Sequence, residues 1–128
     1  MVDKDTFFMK KALIEAKKAE YEDEVPVGAI IVHDEKIIAK SHNMCITLCD
    51  PTAHAEMQAI TSACSYLKSR YLSKCVIYIT LEPCLMCCGA LFWSQIGQIV
   101  YGASDIKYST QRLQKESIHK KTIVSKGI

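Results

Sequence analysis

The chain is organised around two short stretches, Pro51-Thr52-Ala53-His54-Ala55-Glu56 and Glu82-Pro83-Cys84-Leu85-Met86-Cys87. They contribute one imidazole, from His54, and two thiols, from Cys84 and Cys87, a ligand set that suits Zn²⁺. Three protein ligands leave one position of a tetrahedral zinc open, and a catalytic zinc needs that position to hold a water. Glu56 follows His54 by two residues and can move protons on that water without being a ligand. The pattern therefore predicts one catalytic zinc per chain, with Glu56 as the catalytic group.

Each of these residues has a simpler interpretation when it is taken alone. His54 could be a buried or capping histidine, and Glu56 could be a carboxylate that favours the positive end of a helix. Cys84 and Cys87 could be core residues, half of a structural zinc site, or a redox pair. Cys88 could complete a structural site, although its neighbour Cys87 would point about a hundred degrees away from it on a helix. The combination of all the residues, each set at the start of a predicted helix, favours the catalytic zinc.

Composition and charge limit the class of protein. A chain of 128 residues, 49% hydrophobic and 23% charged, predicts one folded domain over residues 1–128. No apolar run is long enough to span a membrane, and no export signal is visible, so we expect no membrane partner. The seven cysteines are an odd number and favour reduced thiols in the cytoplasm over a disulfide framework. The net charge is only +2, but residues 107–128 carry six basic side chains against one acidic, which suits either phosphate groups or an ordinary solvated surface.

The hydrophobic pattern predicts helices and strands in the order α-β-β-α-β-α-β-(α)-β. We expect Gly28 either to allow a close approach to the backbone or to fit a tightly packed position. Asp50 and Pro51 have the residue types of a helix N-cap and first helical position, which would place His54 and Glu56 in the first turn. The predicted elements are a helix over 5–21 capped by Asp5 or Thr6, a hairpin of strands 25–32 and 36–40, a helix from Asp50 to about Leu67, a strand over 76–81, a helix from Cys84 to about Gln95, a strand over 98–101, a short helix around 110–117 and a last strand over 122–125.

The motifs resemble those of a known family. The zinc pattern His-x-Glu…Pro-Cys-x-x-Cys is the signature of zinc nucleobase deaminases. The longer segments around this pattern resemble those of the bacterial tRNA-specific adenosine deaminases, within the cytidine deaminase-like superfamily, over nearly all of residues 7–107. The matching segments are Val25-Pro26-Val27-Gly28-Ala29, His42-Asn43, Asp50 to Ala59, Thr80 to Cys87, and Gly102-Ala103-Ser104-Asp105 with Lys107.

The resemblance implies a three-layer α/β/α fold with a mixed five-stranded central sheet, a homodimer, and conversion of adenosine to inosine at the wobble position of a tRNA anticodon loop. By the same resemblance, His54, Cys84 and Cys87 hold zinc, and Glu56 passes protons to a ring nitrogen and to the leaving amine. The implied substrate-binding residues are Asn43 on the flipped-out base, Val27 and Leu81 lining the pocket, the Ala55 N–H facing the site, Asp105 on a neighbouring nucleotide and Lys107 on phosphate. Asn43 could instead cap its own loop, and Asp105 and Lys107 could be an ordinary exposed pair.

Two other functions remain open on the sequence alone. The same chemistry would serve a deaminase of a free base or nucleoside, such as guanine, cytosine or cytidine, and the modest net charge suits that function. A non-catalytic zinc or RNA-binding module is the second alternative, but such a module has no use for the Glu56 carboxylate.

Overall fold

A computed structural model describes residues 3–104 and 118–127 as a mixed sheet packed between helices. The strands are ordered β2-β1-β3-β4-β5; β1 is antiparallel to β2 and β3, whereas β3, β4 and β5 run parallel. This is the mixed five-stranded sheet that the resemblance implied. The elements are α1 (Lys4–Tyr21), β1 (Gly28–His33), β2 (Lys36–His42), α2 (Ala55–Leu67), β3 (Cys75–Leu81), α3 (Leu85–Ser94), β4 (Gln98–Ala103) and β5 (Ile123–Lys126).

Alternate residues of the central strands pack against opposite helical layers. Ile30 and Val32 of β1 lie in one apolar cluster with Phe8 and Ala12 of α1. Their neighbour Ile31 lies in a second cluster, with small residues of α2 and with Leu91 of α3. Side chains of period two therefore fill both faces of β1, as expected of a strand with a helical layer on each side. The three-layer α/β/α arrangement is confirmed.

Gly28 stands where α1 crosses the start of β1. A β-carbon on Gly28 would lie 2.5 Å from the backbone nitrogen of Ala16 and closer still to the carbonyl oxygen of Ala12. The predicted close approach is confirmed, and the backbone of α1 is what approaches. Val25 and Pro26 precede the strand, so β1 begins three residues later than predicted.

The predicted start of α2 is wrong. Asp50 accepts hydrogen bonds from the backbone nitrogen of Thr52 (2.8 Å) and from its hydroxyl (2.7 Å), which closes a turn instead of capping a helix. The helix begins at Ala55, and His54, with extended backbone angles, is its N-cap. The sequence pattern failed because Asp and Pro are favoured in tight turns as well as at helix starts.

Several other helix and strand boundaries differ from the predicted ones by a few residues. Asp3 is the N-cap of α1 in place of Asp5 or Thr6, β2 continues to His42, and β4 continues to Ala103. The left-handed C-cap of α3 is Gln95, where the helix was predicted to end. The helix predicted around 110–117 lies outside the described residues. None of the helices in residues 3–104 and 118–127 is long and apolar enough to cross a membrane.

Candidate active site

Two helix N-termini bring the predicted metal ligands together. His54 is the N-cap of α2, and Cys84 is the N-cap of α3 with Cys87 in the first turn of that helix. The Nδ1 atom of His54 lies 3.5 Å from the Sγ atom of Cys84 and 3.6 Å from that of Cys87. All three atoms lie within 4.8 Å of one another.

These distances fit a single tetrahedral ion. With Zn–N and Zn–S bonds of about 2.05 and 2.3 Å, tetrahedral geometry separates a nitrogen ligand from a sulfur ligand by about 3.6 Å. The Sγ atom of Cys88 lies 3.7 Å from the Pro83 carbonyl oxygen, and this thiol is not part of the donor group. Within the described residues the group thus has three protein donors, as a catalytic site requires and a closed structural site does not.

The two thiols differ in their proton affinity. A hydrogen bond from Cys87 lowers the pKa of Cys84 to about 5, although burial opposes the change and His54 assists it. The pKa of Cys87 is raised, because its thiol hydrogen bonds to Cys84, is buried, and faces the Glu56 carboxylate. The lowered pKa of Cys84 favours its thiolate, the form that binds a metal.

Glu56 lies in the first turn of α2 and is 4% exposed. Burial raises the pKa of Glu56, and the negative charge of Cys84 raises it further. A carboxyl group with a raised pKa takes up a proton more readily than an exposed one, which suits a group that carries protons during a reaction.

A cavity of about 240 Å³, the site cavity, opens beside Glu56, His54 and Cys84. Asn43, Val27 and Leu81 line this cavity; its other lining residues are Glu24, Val25, Cys45, Ile46 and Glu82.

Ala55 is fully buried, and its N–H donates to the Oδ1 atom of Asn43 at 2.7 Å. The Ala55 N–H is thus engaged by Asn43, whose side chain lines the cavity. Since Oδ1 accepts this bond, the Nδ2 amide is the donor that Asn43 could offer to a ligand. Asp105 and Lys107 lie outside the described residues.

Glu24, which also lines the cavity, was not among the site residues predicted from the sequence. Its side chain is buried, and its two oxygens accept hydrogen bonds from the backbone nitrogen of Ile46 (3.1 Å) and from Thr47 (2.7 Å from the nitrogen, 2.8 Å from the hydroxyl). These partners lie in a segment without hydrophobic period, so no pattern in the sequence links them to Glu24.

A larger and more open depression, of about 720 Å³, runs along the outer face of α2. It contains none of the three donor residues and does not reach Glu56. The smaller site cavity is therefore the place where chemistry can occur.

Comparison with known protein families identifies the class of protein to which the chain belongs. Residues 2–103 match the family model for the cytidine and deoxycytidylate deaminase zinc-binding region. The chain belongs to this family of zinc-dependent deaminases, and zinc is the metal that the donor group fits.

The relatives confirm the narrower resemblance. A tRNA-specific adenosine deaminase of Aquifex aeolicus is 53% identical over 102 residues, which are 80% of this chain and 68% of that protein. A structure from a study of A-to-I editing by tRNA:A34 deaminases at the wobble position superposes with a TM-score of 0.84 at 38% identity, over 95% of this chain and 92% of the other. A guanine deaminase from Bacillus subtilis gives 0.77 at 36% identity, over 87% and 71%. The chain spans about two thirds (64 to 68%) of the length of the bacterial tRNA-specific relatives that it matches.

Proposed function

We propose that this protein hydrolyses the exocyclic amine of adenosine at the wobble position of a tRNA, giving inosine and ammonia. The observation that carries the proposal is the buried Glu56 carboxylate beside three converging metal donors at the wall of the site cavity. The relatives named as tRNA-specific adenosine deaminases support the choice of substrate.

His54, Cys84 and Cys87 would hold the zinc ion, which when bound lowers the pKa of water enough for attack near neutral pH. Glu56 takes up the proton of the attacking water and returns protons to the ring nitrogen and to the amine that leaves. Its raised pKa suits both steps, because burial favours the protonated form more than it would for an exposed carboxylate.

The residues around the cavity would hold and orient the base. Asn43 can donate from Nδ2 to an acceptor on a purine edge, while its Oδ1 is fixed by the Ala55 N–H. Val27 and Leu81 supply apolar walls against which a flat ring can pack. Two further predictions assign Asp105 to a neighbouring nucleotide and Lys107 to a phosphate.

We also propose a homodimer that acts in the cytoplasm. The outer surface of α3 carries exposed apolar side chains, with Leu85 63% and Trp93 77% exposed, as a surface for a second subunit would. Seven free cysteines suit a reducing compartment.

A free-base deaminase is the second candidate. The 36% identical guanine deaminase structure favours it, as does the small size of the cavity, which can take a single base. Both functions would use Glu56 in the same way, so only the substrate separates them.

The deciding experiment offers the zinc-loaded protein an anticodon stem-loop with a wobble adenosine, beside free guanine, cytosine and cytidine. Inosine formation in the stem-loop is the expected result, and the same stem-loop with the adenosine moved one position is the control. Ammonia release from the small molecules alone would refute the tRNA function. Repeating the stem-loop assay across salt concentrations measures the phosphate contacts, since each one makes binding steeper in salt.

A further inference from the structure

Residues 43–54, the cavity loop, form part of the wall of the site cavity and belong to no helix or strand. The loop starts after β2, ends at the N-cap of α2, and contributes Asn43, Cys45, Ile46 and His54 to the cavity lining. Its first half makes one turn, closed by the Leu48 nitrogen on the Met44 carbonyl oxygen at 2.9 Å. A left-handed residue, Cys49, then reverses the chain.

The base of this loop is tied to the fold at several points. The Asn43 nitrogen donates to the Val27 carbonyl oxygen (3.2 Å), and the Met44 nitrogen donates to that of Ala53 (2.9 Å). The Gln58 amide bridges the carbonyl oxygens of His42 and Ala53. These bonds fix the two ends of the loop but do not reach its turn at Ile46 and Thr47.

The turn is held by Glu24 instead. Its Oε1 atom accepts from the Ile46 nitrogen, and its Oε2 atom accepts from both the nitrogen and the hydroxyl of Thr47. Charge-assisted hydrogen bonds of this kind are roughly twice as strong as neutral ones. The pKa of Glu24 is lowered because, against the effect of burial, the Thr47 and Ile46 donors stabilise the ionised form.

Glu24 itself stands on a rigid support. The C-terminus of α1 closes with the Glu24 nitrogen on the Ala19 carbonyl oxygen (2.9 Å) and the Asp23 nitrogen on that of Glu20 (3.1 Å), and Asp23 is left-handed. This is the Schellman arrangement, which fixes the direction of the chain just beyond a helix. The carboxylate is therefore presented to the loop from a defined point.

We infer that Glu24 is a positioning residue for the deamination reaction: by binding the backbone of Ile46 and Thr47, it holds the cavity loop in the shape that receives the base. The inference rests on the proposed function, since it assigns the cavity to the base. Glu24 acts through the loop and leaves proton transfer to Glu56. Its loss widens the cavity and weakens substrate binding, while the chemical step is retained.

The test compares Glu24→Gln with Glu20→Gln, the same change at an exposed position of α1. An amide has only one oxygen, so its NH₂ group must face a donor of the loop and one donor loses its partner. We expect Glu24→Gln to raise KM for the stem-loop about tenfold, as the loss of a charged hydrogen bond would, with kcat and zinc content kept. Glu20→Gln should match the wild type. If Glu24 only stabilised the fold, Glu24→Gln would instead lower the zinc content and the fraction of active protein. The apparent kcat would then fall while KM stayed unchanged.

Thr47→Val gives a graded partner variant, because it removes the hydroxyl bond but keeps the backbone one. Its KM should rise less than that of Glu24→Gln, and the double variant should be no worse than Glu24→Gln alone, since both changes act on one contact. Additive effects in the double variant would overturn the inference.

Hydrogen exchange tests the same inference without activity. In the zinc-loaded protein, the amides of Ile46 and Thr47 should lose at least tenfold in protection in Glu24→Gln and stay protected in Glu20→Gln. Unchanged protection together with an unchanged KM would refute the role of Glu24. If the wild type does not deaminate the stem-loop, the proposed function fails, and the exchange of these two amides still decides whether Glu24 holds the loop.

Discussion

Substituting Gly28 by Ala tests how closely α1 lies on the sheet. The added β-carbon would lie 2.5 Å from the Ala16 nitrogen, 2.8 Å from the Glu15 β-carbon, and nearest of all to the Ala12 carbonyl oxygen. Non-bonded heavy atoms prefer a separation of about 3.5 Å, so α1 must move by about 1 Å. The obstructing atoms are mainly helix backbone and cannot rotate away as the end of a flexible side chain could.

The cost follows from what α1 buries. The helix packs Phe8 and Ala12 against Ile30 and Tyr78, and a shift of the whole helix loosens these contacts together. Overpacking of this kind costs up to about 3 kcal/mol. Ala also restricts the unfolded chain, which adds less than about 1 kcal/mol to the free energy of unfolding. We expect a net loss of about 2 kcal/mol, equivalent to a fall in Tm of about 8 °C for a domain of this size.

The assay is urea unfolding of the zinc-saturated protein, followed by circular dichroism, with a thermal scan beside it. Gly89→Ala is the matched control, because Gly89 lies inside α3 and a β-carbon there meets nothing within 4 Å. That control should gain about 0.5 to 1 kcal/mol from helix propensity. If Gly28→Ala unfolds within 0.5 kcal/mol of the wild type, the packing argument is wrong.

Three further predictions concern Glu56, the zinc ligands, and Glu15 of α1. Glu56→Gln should keep its zinc but slow single-turnover inosine formation by about 10²- to 10⁴-fold, and equal rates would remove its role in proton transfer. Chelating the zinc, or substituting His54 by Ala, should lower Tm, because zinc joins the two helices that supply its ligands. When free zinc is a thousandfold above its Kd, zinc binding adds about 4 kcal/mol to the free energy of unfolding. An unchanged Tm would contradict this prediction. Burial raises the pKa of Glu15, but hydrogen bonds from Lys18 and His42 outweigh burial and lower it. The ionised form of Glu15 therefore stabilises the fold at pH values above the pKa that Glu15 has in the unfolded chain. Glu15→Gln should therefore cost about 1 to 2 kcal/mol near pH 7 in urea unfolding, a loss that disappears as the pH falls through the lowered pKa; a loss independent of pH would exclude this linkage.

The site shows which residues can be identified from local sequence patterns. His54, Glu56, Cys84 and Cys87 could be found from spacing because each pair lies within four residues, and each stands at the start of a helix whose apolar face is readable. Their roles as ligands and proton carrier remain predictions, although the structure brings the three donor atoms together. Asn43 could be found only through the resemblance, since a lone Asn in a loop is usually a turn residue.

Contacts between distant segments could not be found in this way. The bond between Glu24 and Thr47 joins the end of α1 to a loop 23 residues later, and neither partner has a periodic neighbourhood. The start of α2 was misplaced for a related reason. Asp50 can accept from the Thr52 nitrogen in a turn or cap a helix, and only the path of the chain from β2 to His54 selects between these arrangements.

By itself, the sequence determined the order of helices and strands, the zinc-binding residue types and the family, because these depend on period, spacing and motif. The tertiary structure alone decided that the carbonyl oxygen of Asn43 is occupied by the Ala55 N–H, and that a buried carboxylate just beyond α1 holds the cavity loop. The physical reason is that a hydrogen bond needs two groups within about 3 Å, and separation along the chain does not fix that distance until the sheet and its helices have packed.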